Sequence, residues 1–197
     1  QISVLNQTPG AFYTLIDAVV NAVLSADIQL PALRYIIFGG DKLNMAKLQP
    51  WWLHFGDQQP CLVNMYGITE TTVHSSYKRL QQNDKTSQSG IGLALSGQQF
   101  YVLNSQKQPV PVGTPGELFI GGEGLARGYL NQPELTATRF IKHQFLANRP
   151  AVRLYRTGDL VRVNYNGELD YIGRIDHQVK IRGYRIELAE IEQLLVL

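Results

Sequence analysis

Cysteine is almost missing from this sequence. Cys61 is the only one in 197 residues, so no intramolecular disulfide can form and the chain suits a reducing compartment. An imbalance of charge is missing too. Eighteen basic against sixteen acidic residues leave a formal +2, too little to argue for a nucleic-acid or membrane surface. No apolar run approaches the roughly 18 residues needed to span a bilayer, and no signal peptide is visible. A cytoplasmic globular protein is expected. The histidines at 54, 74, 143 and 177 lack metal-ligand spacing, and Cys61 has no partner for them, which argues against zinc. The ends carry no clear start or stop. The chain opens on strand-like Ile2-Ser3-Val4-Leu5, and its last helical face (Leu188, Ile191, Leu195) is followed by no Gly, Asn or Pro. A piece of a larger domain is the expectation.

What is present divides into two patterns. Up to about Arg79, short apolar runs alternate with helical periodicity. Thr8 can cap and Pro9 can open a helix carrying Phe12, Leu15, Ile16, Val19, Val20 and Val23 on one stripe. Tyr35-Ile36-Ile37-Phe38 runs into Gly39-Gly40-Asp41, and Cys61-Leu62-Val63-Asn64 runs into Tyr66-Gly67, with a helical stretch through Trp51-Trp52 between them. Apolar strands running into glycine turns predict a parallel sheet covered on both faces, with a ligand crevice beyond the carboxyl ends of its strands. Residues 81–90 read as a polar loop. Thereafter the pattern predicts short strands over 99–103, 117–120, 159–163 and 168–172, with a hairpin turn at Asn166-Gly167 and one helix after Pro133. The fold class expected is therefore α/β, with an α/β portion over 1–90, an antiparallel β subdomain over 91–173 and the start of a further subdomain over 174–197.

Several stretches could carry chemistry. Gly67 permits a tight turn and close approach of a ligand. Thr69 offers a hydroxyl beside the Glu70 carboxylate, a pair suited to a phosphate oxygen and Mg²⁺. Tyr66 supplies a flat ring and Asn64 an amide. The same residues, taken alone, also describe a strand followed by a helix capped by Thr69. Asp159, after Tyr155-Arg156-Thr157-Gly158, could accept two ribose hydroxyls or could sit in an ordinary surface turn. Gly173-Arg174-Ile175-Asp176 with Lys180, Arg182 and Gly183 could be a functional strand or a solvated basic one. The glycines at 121, 122, 124 and 128 match no phosphate-loop spacing and read as a loop needing glycine conformations.

Order and spacing say more than any one stretch. Asn64-Met65-Tyr66-Gly67-Ile68-Thr69-Glu70, then Gly116 to Gly122 with Ala126-Arg127-Gly128-Tyr129, then Tyr155 to Asp159, then Gly173 to Asp176 and Gln178 to Glu187, together resemble the adenylation domains of nonribosomal peptide synthetases. These belong to the larger superfamily of acyl-CoA synthetases and luciferases. The resemblance implies a large adenylate-forming fold that joins an amino acid to the α-phosphate of ATP. The acyl group then passes to the phosphopantetheine thiol of a carrier protein. It implies that Asn64 and the Gly39-Gly40 backbone bind adenine and that Tyr66 stacks on it. Thr69 would meet phosphate, Glu70 would hold Mg²⁺, Asp159 would take the ribose hydroxyls, and Arg174 would meet ribose or phosphate. Asp176 matches the hinge of a mobile C-terminal subdomain. Lys180 matches the loop that swings in for thioester formation, and Gly183 the pantetheine path.

The resemblance has gaps. The family's phosphate loop, the aspartate for the substrate amino group and the lysine that bridges substrate and phosphate have no counterparts here, and Asp41 stands where glutamate is more usual. These 197 residues alone are therefore expected not to adenylate. The pocket positions, Ile37, Gly39, Met65, Val73 and His74, resemble the pattern of threonine-activating domains, and a buried hydroxyl would need a partner such as the imidazole. Two readings stay beside this one: a stand-alone ligase that loads acyl or aryl acids onto coenzyme A, and a degenerate domain kept for contacts with neighbouring modules.

Overall fold

The computed structural model describes residues 2–23, 30–82, 84, 89–176, 178–181 and 183–195. Its strands, in chain order, are β1 (Val4–Gln7), β2 (Tyr35–Phe38), β3 (Cys61–Asn64), β4 (Ser76–Leu80), β5 (Gly90–Ala94), β6 (Gln98–Leu103), β7 (Gly116–Gly122), β8 (Phe140–His143), β9 (Val152–Val163), β10 (Leu169–Arg174), β11 (Val179–Ile181) and β12 (Tyr184–Ile186). The helices are α1 (Pro9–Val23), α2 (Gln49–Phe55), α3 (Pro133–Arg139) and α4 (Leu188–Leu195). They fall into two compact units: Gln1–Met65 with Lys78–Gly90 and His177–Leu197, and Tyr66–Tyr77 with Ile91–Asp176. His177 and Arg182 lie outside the described residues, as does part of the expected 81–90 loop.

In the first unit β1, β2 and β3 are parallel, in register Gln7↔Phe38 and Phe38↔Asn64. The Lys78–Leu80 end of β4 closes the set antiparallel to β3. Helix α1 begins as its sequence predicts, with Pro9 first and the Ala11 amide donating to Thr8 Oγ1 at 3.4 Å. Phe12 and Ile16 from α1 and Trp51 and Trp52 from α2 pack with Ile36, Phe38 and Leu62 in one core. Tyr35, which alternates with Ile36, is 40% exposed. Among the described residues α1 and α2 thus lie on the same face of this sheet, where the apolar runs suggested cover on both. The reason is topological. Successive crossovers of one hand that step the same way along a sheet put their helices on the same side.

The second unit is antiparallel. Strands β6, β7, β9 and β10 form a ladder, and β8 pairs with the early half of β9. Around β9 the register slips: Thr157, Gly158 and Asp159 lie between pairs where β7 contributes only Leu118. Gly158 takes φ +74° there. Such a bulge bends the strand and re-aims its side chains. The hairpin from β9 to β10 turns through Asn166-Gly167 as expected. Asn164 Oδ1 anchors it, accepting from the amides of Asn166 and Glu168 at 2.9 and 3.1 Å. The sequence reading missed β4, β5 and β8, which have weak alternation of their own and are specified by their neighbours.

Candidate functional site

The second unit gathers four residues of the predicted site. Asp159, 2% exposed, accepts from the Tyr66 hydroxyl at Oδ2 (2.5 Å) and from Arg174 Nη1 at Oδ1 (3.0 Å). Its own amide donates to Thr157 Oγ1, whose hydroxyl donates to the Leu118 carbonyl. Arg174 also grips Asp176 with two bonds, Nε to Oδ1 at 2.8 Å and Nη2 to Oδ2 at 2.6 Å. Asp159 is therefore neither in a surface turn nor in open water; it is a buried carboxylate on a bulge. A carboxylate offers about four acceptor positions, so Tyr66, Arg174 and the neighbouring Tyr171 hydroxyl do not exhaust it.

The electrostatics follow from burial. Desolvation first, then the charge and hydrogen bond of Asp159, raise the Tyr66 pKa well above its ordinary value and keep the hydroxyl a donor. Burial works against the Arg174 charge, but Asp176 and Asp159 outweigh it and raise the pKa of the guanidinium. Tyr66 is only 7% exposed, and its ring packs with Ile91, Val102, Leu118 and Ile120. The sequence suggested a flat ring; the structure shows that ring fixed at its tip by Asp159.

The loop from Tyr66 to Ser76 is closed on itself. The amides of Ser75 and Ser76 donate to the Tyr66 carbonyl, and the Tyr66 amide donates to Ser76 Oγ. Gly67 is needed because the chain returns across it: an added Cβ would stand 2.0 Å from the Val73 carbonyl oxygen and 2.7 Å from His74 Cα. Its close neighbour is backbone, where the sequence suggested a ligand. The helix that Thr69 was read as capping is a three-residue 3-10 turn, Thr69–Thr71, whose N-cap is Ile68. It stops because Thr72 and Val73 adopt φ +62° and +67°. A β-branched residue in that region is strained by about 1–3 kcal/mol. Thr69 is exposed and Glu70 is 6% exposed. Glu70 Oε1 accepts from the hydroxyls of Tyr129 (2.7 Å) and Tyr155 (3.0 Å). His74 is not a helix residue. Its buried Nδ1 has no hydrogen-bond partner among the described residues, and burial lowers its pKa.

In the first unit, Ile37, Gly39, Gly40, Asn64 and Met65 lie at or just beyond the carboxyl ends of the parallel strands. The Met65 amide donates to the Phe38 carbonyl and the Gly39 amide to the Gln7 carbonyl. Asn64 is buried and donates from Nδ2 to the Gly90 carbonyl at 2.8 Å. Lys180 stands in β11, paired with Arg185 of β12, and Gly183 takes φ +82° in the intervening turn. A Cβ on Gly183 would meet Thr8 Cγ2 at 3.0 Å, and one on Gly40 the same methyl at 3.6 Å. Asn6, opposite Ile37 in the ladder, was not singled out in the sequence. Strand alternation puts it on the face away from Leu5, which packs in the helix-covered core. The pocket positions Ile37, Gly39 and Met65 belong to this unit, and Val73 and His74 to the other.

No group of three or more His, Cys, Asp and Glu side chains among the described residues could cage a metal. A single held carboxylate, Glu70, fits Mg²⁺, which is usually bound by one or two carboxylates together with substrate phosphates.

The chain belongs to the AMP-binding enzyme family, whose model matches residues 1–130. Its relatives sharpen this. It is 50% identical to a dimodular nonribosomal peptide synthase of Bacillus subtilis (strain 168) over 99% of this chain and 8% of that protein. It is 45% identical to syringomycin synthase SyrB1 of Pseudomonas syringae pv. syringae over 98% of this chain and 30% of that one. Among solved structures it resembles a holo nonribosomal peptide synthetase protein with adenylation and PCP domains bound to a vinylsulfonamide inhibitor. That match has a TM-score of 0.86 and 31% identity, and covers 98% of this chain and 32% of that one. It also resembles the Vibrio cholerae adenylation domain AlmE in complex with glycyl-adenosine-5'-phosphate, with a TM-score of 0.79 and 32% identity over 98% of this chain and 35% of that one. The chain thus spans about a third or less of the relatives it matches. The fold is that of adenylation domains: a parallel α/β layer followed by antiparallel strands.

Proposed function

We propose that this chain forms part of a domain that activates an amino acid with ATP and loads it onto a carrier protein. The amino-acid carboxylate attacks the α-phosphate, pyrophosphate leaves, and an aminoacyl-AMP forms. The carrier's phosphopantetheine thiol then attacks the acyl carbon, losing its proton, and AMP leaves. The observation that carries this reading is the Tyr66–Asp159–Arg174–Asp176 network around the buried Asp159 carboxylate. It holds an acceptor-rich carboxylate and a planar cation side by side, as a ribose and a phosphate require. The AMP-binding family and the adenylate complex of AlmE support it.

In this reading Asn64, Tyr66 and the Gly39-Gly40 backbone bind adenosine, Asp159 the ribose hydroxyls, and Arg174 ribose or phosphate. Thr69 donates to phosphate from an exposed turn. Glu70 holds Mg²⁺, whose contribution when bound is to neutralise phosphate charge. Lys180 and Gly183 serve the thioester step, after a swing about Asp176 of the subdomain beginning near residue 174. The boundary between the compact units, after Asp176, supports that hinge. Positioning and charge stabilisation dominate, with no covalent intermediate on the protein.

The amino acid is threonine. Gly39 leaves room for a short side chain, and the unpartnered Nδ1 of His74 supplies what a buried hydroxyl needs. By the resemblance, Ile37, Met65 and Val73 are the other pocket positions. Amino-acid-dependent ATP–pyrophosphate exchange by the full-length domain tests both levels. Threonine is expected to exceed valine, its near-isostere without the hydroxyl, and His74→Ala to erase most of that margin. Preference for a large aromatic or acidic amino acid rejects threonine; no exchange with any amino acid rejects the whole reading. The 197 residues by themselves, lacking the phosphate loop and the bridging lysine, are expected to show no exchange.

A further inference from the structure

Glu70 is held by side chains that its proposed role does not mention. Tyr129 follows the glycine-containing loop after β7, and Tyr155 stands in β9, yet both hydroxyls converge on the same oxygen, Oε1, at 2.7 and 3.0 Å. The hydroxyls lie 3.2 Å from each other. Further bonds tie the surrounding segments together. The Ala126 amide donates to the Glu70 carbonyl, Thr72 Oγ1 donates to the Gly124 carbonyl, and Gln98 Nε2 donates to the Thr71 carbonyl. A Cβ on Gly124 would collide with Gln98 Nε2 at 1.9 Å, so that glycine is the clearance that lets Gln98 reach the turn. The glycine run that matches no phosphate loop thus serves as a brace for the Glu70 turn.

We propose that Tyr129 and Tyr155 are positioning residues that fix the Glu70 carboxylate in the orientation that receives the cation. This rests on the Mg²⁺ reading of Glu70. Two donors on one oxygen define the plane and the rotamer of a carboxylate that would otherwise turn about its last torsion. A divalent cation at a site with a single protein carboxylate depends on that torsion being settled before it arrives. The tyrosines suit the task because each presents its single hydroxyl proton to Glu70 Oε1 from a ring held in a packed cluster. Phe140 packs at the edge of the Tyr129 ring and against the Tyr155 ring, with centroids 5.7 and 4.9 Å away, and so fixes both from behind.

The test uses the full-length domain with Tyr129→Phe, Tyr155→Phe and the double variant, alongside Glu70→Gln and, as a hydroxyl-loss control, Tyr101→Phe. Pyrophosphate exchange is titrated with Mg²⁺ at saturating ATP and amino acid. Separately, the Mn²⁺ electron paramagnetic resonance spectrum of the enzyme–ATP complex is recorded. Each Tyr→Phe change is expected to raise the Mg²⁺ activation constant roughly tenfold, the scale of one hydrogen bond to a charged group. The rate at saturating Mg²⁺ is expected to stay within about twofold, and the Mn²⁺ spectrum to broaden as the ligand field becomes heterogeneous. Tyr101→Phe is expected to change neither. The proposal is overturned if the tyrosine variants lower the melting temperature or the maximal rate while the Mg²⁺ constant and Mn²⁺ spectrum keep their wild-type values. If Glu70→Gln also leaves both unchanged, the Mg²⁺ reading of Glu70 fails first and this inference falls with it.

Discussion

Tyr66 and Asp159 stand 93 positions apart in the sequence and meet at 2.5 Å. The pair makes a pH prediction. Burial and the Asp159 charge raise the folded-state pKa of Tyr66 well above its unfolded value of about 10. A group whose pKa is raised by folding lends stability that is complete below the unfolded value and is lost as pH climbs towards the folded one. Denaturant unfolding of the full-length domain should therefore show stability falling above about pH 10. Tyr66→Phe should flatten that alkaline loss, and an unchanged alkaline slope in the variant would contradict the assignment. Asp159, Glu70 and Arg174 stood out in the sequence because a charged residue in a short polar motif is visible there. Tyr129 and Tyr155 did not stand out as partners of Glu70, since an aromatic residue in a strand or loop reads equally well as core.

Among the elements, the stretch from Tyr66 to Ser76 departs furthest from its local signals. Ser/Thr-rich sequence after a strand suggests a capped helix, but the turn ends after Thr71 because the chain must fold back over Gly67 to pair Ser75 and Ser76 with Tyr66. Gly67→Ala would drive a methyl into the Val73 carbonyl. Such overpacking against backbone should destabilise the domain by about 1–3 kcal/mol and depress exchange more than Gly10→Ala, where an added Cβ meets nothing within 4 Å. Chemical denaturation of both variants checks the difference. The strained Val73 lies in the same return, beside His74, whose buried Nδ1 has no hydrogen-bond partner among the described residues. By contrast, α1, β2 and β3 were readable almost to the residue, because their apolar faces and their Thr8-Pro9 and Gly39-Gly40 punctuation are local; α2 was readable only as a helical stretch through Trp51-Trp52.

At the scale of the whole molecule, the two compact units cut the chain at Met65, Tyr77, Gly90 and Asp176, where the sequence suggested divisions at 90 and 173. The last cut lies beside the proposed hinge. If the second half-reaction needs rotation there, Asp176→Pro, which restricts φ to about −65°, should leave pyrophosphate exchange measurable and abolish loading of a holo carrier protein. Equal loss of both activities would argue for a structural role of the Arg174–Asp176 pair instead. Among the described residues no helix is long and apolar enough to cross a membrane.

Sequence by itself determined the α/β class, the ends of the parallel strands, the start of α1 and, through the order of its motifs, the family. Those features depend on periodicity, on glycine and proline, and on spacing, all of which act over a few residues. Tertiary structure alone decided that both helices share one face of the parallel sheet and that Asp159 is buried on a bulge rather than exposed in a turn. It also brought Tyr129 and Tyr155 to Glu70, the latter across 85 positions of sequence. These outcomes depend on strand order and on a register slip between β7 and β9, and no local signal carries either. A side chain's chemistry is written in its residue type, but its partner is set by which strand lies beside it.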